Sequence, residues 1–115
     1  MWDHKGKQYL ASPFLFMMAH TYILYSQKLD SFYIGACHED LSIRIINHNN
    51  GRYGRHRFTS RASDWVLFLQ FEVGSYAHAI RLERKIKSMK SRKYIMNLSK
   101  YPELREKIIN ETKSI

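Results

Sequence analysis

Residues 20–36 read HTYILYSQKLDSFYIGA, and the rest of the chain is arranged around them. Two runs, Thr21 to Ser26 and Phe32 to Ala36, flank the polar stretch Gln27-Lys28-Leu29-Asp30-Ser31. Tyr, Ile and Phe fit a pleated, half-buried surface, and Gln, Lys, Asp and Ser fit a short reversal. The pattern predicts a β-hairpin. Tyr22 and Tyr33 stand eleven positions apart, one in each strand.

Beyond the hairpin, Asp40 is placed to cap a helix over Leu41 to Asn49, which Asn50-Gly51 stops. Leu41, Ile45 and Ile46 are expected to face the core. Arg44 and His48 are four apart and share a helix face. Residues 51–64, GRYGRHRFTSRASD, form a basic loop with Arg52, Arg55, Arg57, Arg61 and His56, interleaved with Tyr53 and Phe58. Trp65 to Val73 reads as a third strand. Its early part is apolar on both faces, which predicts a central position. Ser75 caps a helix from Tyr76 to about Met89, with Tyr76, Ala79, Ile80, Ile86 and Met89 at helical spacing. Glu83 falls in or beside that stripe, where a carboxylate is costly unless it is paired or holds a cation. A basic break at Ser88 to Lys93 precedes a short helix near Tyr94 to Leu98. Pro102 suits the first turn of a last helix carrying Leu104, Ile108 and Ile109. The expected fold is α+β, a three-stranded antiparallel sheet flanked by helices in the order β-β-α-β-α-α. Residues 1–17, broken by Pro13, are expected to form an N-terminal extension, 18–98 the domain, and 99–115 a C-terminal helix packed on it.

A chain of 115 residues with 44% hydrophobic content can bury one core. Its net charge of +9 and pI near 9.8 favour a polyanionic partner, nucleic acid first and an anionic membrane surface second. The single cysteine, Cys37, excludes an intrachain disulfide and a Cys-rich zinc site, and fits a reducing, cytoplasmic compartment. Phe14 to Ala19 is apolar but far shorter than the ~18–20 residues of a membrane span.

Five residues stand out: Tyr22, Tyr33, Arg44, His48 and Glu83. Each has an ordinary explanation. Strand tyrosines pack, a helix arginine is solvated or paired, a lone histidine caps or sits at the surface, and Glu83 pairs with Arg44 or Lys87. As a set they match phosphodiester hydrolysis, which needs an activated nucleophile, a cation on the non-bridging oxygens and help for the leaving oxygen. A carboxylate can hold Mg²⁺ or Mn²⁺ with several waters, and arginine offers phosphate a planar fork. A phenol works as acid or base once its pKa near ~10 is lowered. The basic clusters, Arg52, Arg55, Arg57 and Arg61 with Lys87, Lys90, Arg92 and Lys93, would follow a phosphate backbone, while Tyr53 and Phe58 stack on exposed bases.

The chain resembles the GIY-YIG nuclease superfamily. Tyr33-Ile34-Gly35 is its second signature tripeptide, intact. His20-Thr21-Tyr22 is the first in degenerate form, with its tyrosine kept at the family spacing. Leu41 to Asn49 resembles the family helix that carries an arginine and, four residues on, a histidine. Arg61 to Trp65 resembles the approach to the third strand, and Ala79 to Lys93 resembles the helix with the metal-binding glutamate, here Glu83. The likeness spans about residues 20–98 and is strongest to the small single-domain bacterial branch, similar to the GIY-YIG domain of the bacterial excision-repair nuclease. Arg44 follows Tyr33 by eleven positions where ten is usual, and Ala36 replaces a lysine found in some branches. The resemblance implies a one-metal DNA endonuclease with a role in DNA repair. Glu83 would bind one Mg²⁺ or Mn²⁺ and Arg44 would hold the phosphate. Tyr22 or Tyr33, with His48 as relay, would activate water; Tyr33 is preferred because it lies in the intact tripeptide. The alternative is a nucleic-acid-binding module that is non-catalytic or needs a partner protein, and a homodimer is also compatible.

Overall fold

The structure, a computed structural model, describes residues 18–54 and 57–114. The expected extension over 1–17, and Arg55 and His56 of the basic loop, lie outside the described residues. Strand β1 spans Ala19–Ser26 and β2 spans Ser31–Cys37. Helix α1 (Leu41–Asn49) and a short 3₁₀ turn (Phe58–Arg61) follow, then β3 (Val66–Val73). Helices α2 (Tyr76–Ser88), α3 (Arg92–Lys100) and α4 (Pro102–Glu111) complete the chain. The α+β class and the antiparallel sheet stand as expected. The helical tail has one element more than the expected order, because the short helix is a separate nine-residue element capped by Ser91.

The hairpin closes through Gln27 to Asp30. The Asp30 N–H donates to the Gln27 carbonyl at 3.2 Å, and Asp30 adopts a left-handed φ of 47°, which aspartate tolerates better than most residues. Tyr25 Oη (2.6 Å) and Arg92 Nη2 (2.7 Å) both donate to its carboxylate. Arg92 also donates through Nη1 to the Asp30 carbonyl at 3.0 Å, which ties the turn to the start of α3.

The strand order is β2-β1-β3, so the centre is β1 and not the third strand. The apolar run at the start of β3 does not reflect burial on two faces. Val66 is 58% and Leu67 40% exposed, whereas Tyr22, Ile23 and Leu24 of β1 are fully buried. Exposed apolar side chains are common enough that an unbroken run is weak evidence for a central strand.

Alternation along β1 divides the interior in two. On one face Ala19, Ile23, Phe71 and Val73 pack with Ala79, Leu82, Ile86, Ile95, Leu98 and Ile108 from α2, α3 and α4. Thr21 on this face donates through Oγ1 to the Ala79 carbonyl at 2.7 Å. The buried seam of α2 runs through Ala79, Leu82 and Ile86. Tyr76 and Met89, expected in it, are 39% and 42% exposed, standing at the first residue and the C-cap, beyond the buried turns. On the other face Tyr22, Leu24 and Cys37 pack with Leu41, Ala62 and Trp65 under α1 and the basic loop. Ile46, expected to face this core, is 57% exposed; α1 turns Leu41 and His48 inward instead.

Register sets the site. Tyr22 pairs with Gly35, and Leu24 with Tyr33, so both tyrosines point to the α1 face. Gly35 is there for space and not for backbone freedom: a Cβ on it would lie 2.5 Å from both Cζ and Oη of Tyr22. Overpacking of this kind costs about 1–3 kcal/mol. Gly35→Ala is therefore expected to lower the free energy of unfolding by that amount in denaturant titrations. A double-mutant cycle with Tyr22→Leu should show the alanine better tolerated once the ring is gone. Additive effects would mean that the tyrosine is not what excludes a side chain at position 35.

Candidate active site

Tyr22 is fully buried, and its hydroxyl joins β1 to two residues of α1. Arg44 Nε of α1 donates to Tyr22 Oη at 3.0 Å, and Tyr22 Oη lies 2.9 Å from His48 Nε2, one helical turn further on. His48 is itself 2% exposed, and its Nδ1 lies 2.8 Å from Thr59 Oγ1 in the 3₁₀ turn. Arg44 extends past Tyr22: Nη1 pairs with Glu39 Oε1 at 2.9 Å, and the guanidinium lies 4.1 Å from the centre of the Tyr53 ring.

The α1 positions follow from local chemistry. The Asp40 carboxylate accepts from the Ser42 and Ile43 backbone N–H groups, which starts the helix and fixes its phase. Asn49 then clasps the start of β3, donating through Nδ2 to the Trp65 carbonyl (3.0 Å) and accepting the Trp65 N–H on Oδ1 (2.7 Å). Trp65 Nε1 donates to the Thr59 carbonyl at 2.8 Å. The far end of the loop is held by Asp64, which accepts from Ser26 Oγ (2.6 Å) and from the Lys28 N–H (2.9 Å). The basic loop is thereby drawn across the mouth of the site.

Tyr33, Arg44, His48, Tyr53 and Arg57 line a cavity of about 70 Å³, on the scale of two waters or one phosphoryl group. The rings of Tyr33 and His48 are 5.0 Å apart, and those of His48 and Tyr53 4.7 Å. Two guanidinium groups thus meet a phenol over an aromatic floor.

The fold and this constellation agree with the family scan, in which residues 18–96 match the GIY-YIG catalytic domain. The chain belongs to the GIY-YIG nuclease superfamily. Curated proteins and solved structures gave no match.

The GIY-YIG residues named from the sequence occupy distinct places. Tyr22 is sealed under the site, whereas His48, itself almost wholly buried, reaches the cavity wall beside the half-buried Tyr33 and Arg44. Glu83 belongs to α2 on the opposite side of the sheet. It does not line the cavity; α2 packs against the edge strand β2, which carries Tyr33, and the Glu83 charge acts on the Tyr33 phenol. Its side chain is 18% exposed and pairs with the exposed Lys87 at 3.6 Å.

Of the expected phosphate contacts, Arg57 lines the cavity, and Arg61 stands 5.4 Å from the Phe58 ring at the surface. Arg52, Lys90 and Lys93 are exposed, while Arg92 is committed to the Asp30 turn. Thr59, Glu39 and Asn49 were not singled out by sequence reading. Thr59 and Asn49 meet partners eleven and sixteen residues away across the loop, and Glu39 pairs with Arg44 five residues on.

Electrostatics separates the two tyrosines. Burial raises the Tyr22 pKa far above the phenol range, with Arg44 opposing only in part. Burial and then the Glu83 carboxylate raise that of Tyr33, while Arg44 and Arg57 lower it. Burial works against the charge on Arg44, but its bonds to Tyr22 and Glu39 more than compensate. His48 is pushed down to about 4 by burial, then by Arg44 and Arg57, so it is neutral at pH 7.

That shift has a stability consequence. Between about pH 6.5 and 4 the unfolded His48 binds a proton that the folded one refuses, so stability is full above pH 6.5 and falls as pH drops toward 4. Urea midpoints measured from pH 7 to 5 should decline. His48→Gln is expected to make that decline shallower, leaving the share of His78, which burial also shifts down. An unchanged slope in the variant would show that His48 titrates normally in the folded protein.

Proposed function

We propose that this chain is a metal-dependent endonuclease that hydrolyses DNA phosphodiester bonds. The observation that carries the proposal is the convergence of Tyr33, Arg44 and Arg57 on one small cavity, with the Glu83 carboxylate acting on the same phenol.

The donor set fits a hydrated hard cation. Among the described residues no cluster of three His, Cys, Asp or Glu side chains is present. A single carboxylate, held by one exposed lysine 3.6 Å away, suits Mg²⁺ or Mn²⁺, ions that keep several waters and share substrate oxygens. Glu83 would hold such an ion. The chemistry it supplies when bound is positive charge, on the phosphate and against the hold of Glu83 on the Tyr33 proton.

The chain's own residues then divide the work. Arg44 and Arg57 bind the non-bridging oxygens and stabilise the charge that grows on them. Tyr33, lining the cavity, would take the proton of the attacking water as the phenolate, after giving up its own proton to solvent. Tyr22, closed off from solvent, acts as the buried acceptor that aims Arg44, and His48 holds Tyr22. The exposed Arg52, Arg61, Lys90 and Lys93 keep the strand in place through its phosphates.

The test is a panel of plasmid, single-stranded, duplex, flap and junction DNA, incubated with and without Mg²⁺ or Mn²⁺. Wild-type protein should cut only with metal. Glu83→Ala should lose on the order of 10²-fold or more in rate while its DNA affinity stays within a few-fold. Undiminished cutting by Glu83→Ala would end the proposal. Salt-sensitive binding without metal-stimulated cutting by the wild type would identify a binding module instead.

A further inference from the structure

The hydrogen bonds beneath the cavity can be assigned a direction from their donors alone. Arg44 Nε can only donate, so Tyr22 Oη accepts from it at 3.0 Å. The phenol has one proton of its own, and its other partner among the described residues is His48 Nε2, 2.9 Å away. That nitrogen must therefore be the acceptor. A neutral imidazole carries one N–H, which leaves it on Nδ1, pointing at Thr59 Oγ1 at 2.8 Å. The reverse direction, with Nε2–H donating to Tyr22, would give the phenol oxygen two donors and strand its own proton inside the protein.

We propose that Thr59 is a positioning residue of the active site: by accepting from His48 Nδ1 it fixes the tautomer that lets His48 receive the Tyr22 proton and so holds Arg44 in place. The inference rests on the nuclease reading of the same cavity for its effect on rate, but its structural part does not.

Thr59 is built for the task. It is 2% exposed, and the Trp65 indole anchors its carbonyl at 2.8 Å. Its hydroxyl is the partner of a ring nitrogen that is equally cut off from water. Removing that hydroxyl leaves Nδ1–H buried and unpaired, an arrangement that a neutral histidine escapes by moving its proton to Nε2. Nε2–H then competes with Arg44 for the Tyr22 oxygen, and the displaced phenol proton faces a guanidinium that cannot accept it. Arg44 loses its acceptor although no residue that touches it has been changed.

The experiment uses the full chain as wild type, Thr59→Val and Thr59→Ser. Long-range ¹H–¹⁵N correlation spectra report the His48 tautomer directly, and the Arg44 Nε–H resonance reports the bond to Tyr22. Wild type and Thr59→Ser should show protonated Nδ1 and a sharp Arg44 Nε–H signal. Thr59→Val, of nearly the same shape, should show protonated Nε2 and a broadened Arg44 signal. In cleavage assays Thr59→Val should lose roughly 10-fold or more in kcat with KM changed less than 3-fold, and Thr59→Ser should recover most of it. Protonated Nε2 in the wild type, an unmoved tautomer in Thr59→Val, or equal kcat in the two would overturn the assignment. So would an equal loss in Thr59→Ser, since only the methyl group would then matter. If the wild type cuts no DNA, the nuclease reading fails, and the spectra still decide the role of Thr59.

Discussion

A phenol hydroxyl closed off from water governs how this molecule is put together. Tyr22 comes from the central strand, Arg44 and His48 from the helix above it, and the ring rests on Gly35 of the neighbouring strand. A buried hydroxyl must find partners, because leaving it unpaired costs about as much as several favourable contacts contribute. That requirement fixes the rotation of α1 over the sheet. Arg44 and His48, four apart, reach the same oxygen only if their helix face looks straight down on Tyr22. The same requirement draws in the loop, since the second His48 nitrogen needs Thr59. One polar atom thus sets the geometry of a cavity that it does not itself enter.

The electrostatic pattern follows from this burial. Arg44 keeps its charge because it is flanked by Tyr22 and Glu39 and stacked on Tyr53. That fixed charge, with Arg57, adds to the burial that depresses His48 and opposes the upward push on Tyr33, while Arg44 opposes that on Tyr22. The two tyrosines look alike in the sequence, yet only the one that also feels Glu83 stands at the cavity wall.

The hairpin, the cap and span of α1 and the start of α4 were legible in the sequence because each is a local signal: alternation, an Asp before an apolar run, a Pro at a helix start. Tyr22, Tyr33, Arg44, His48 and Glu83 were legible through motif spacing, and four of them fall within one connected cluster of side chains. The position of β3 was not legible, since apolar content does not reveal which strand acquires two neighbours. Nor was the inward face of α1, where Ile46 yields to His48: a histidine is drawn inside only because a phenol from a distant strand awaits it. Thr59 was hidden for the same reason, being defined by a partner eleven residues away across a loop.

Because the sheet separates two interiors, the residues around the cavity belong to different mechanical compartments. The guanidinium and the imidazole belong to α1 and the buried phenol to the central strand, whereas the carboxylate belongs to α2 in the helical layer behind the sheet. The two layers meet through the sheet, where α2 packs on all three strands and Thr21 of β1 bonds the Ala79 carbonyl. A shift of the helical layer against the sheet would change the distance between Glu83 and Tyr33 without unfolding anything. Sequence change deep in the helical layer, far from any charged group, thereby becomes a means of shifting Glu83 relative to the cavity on the other side.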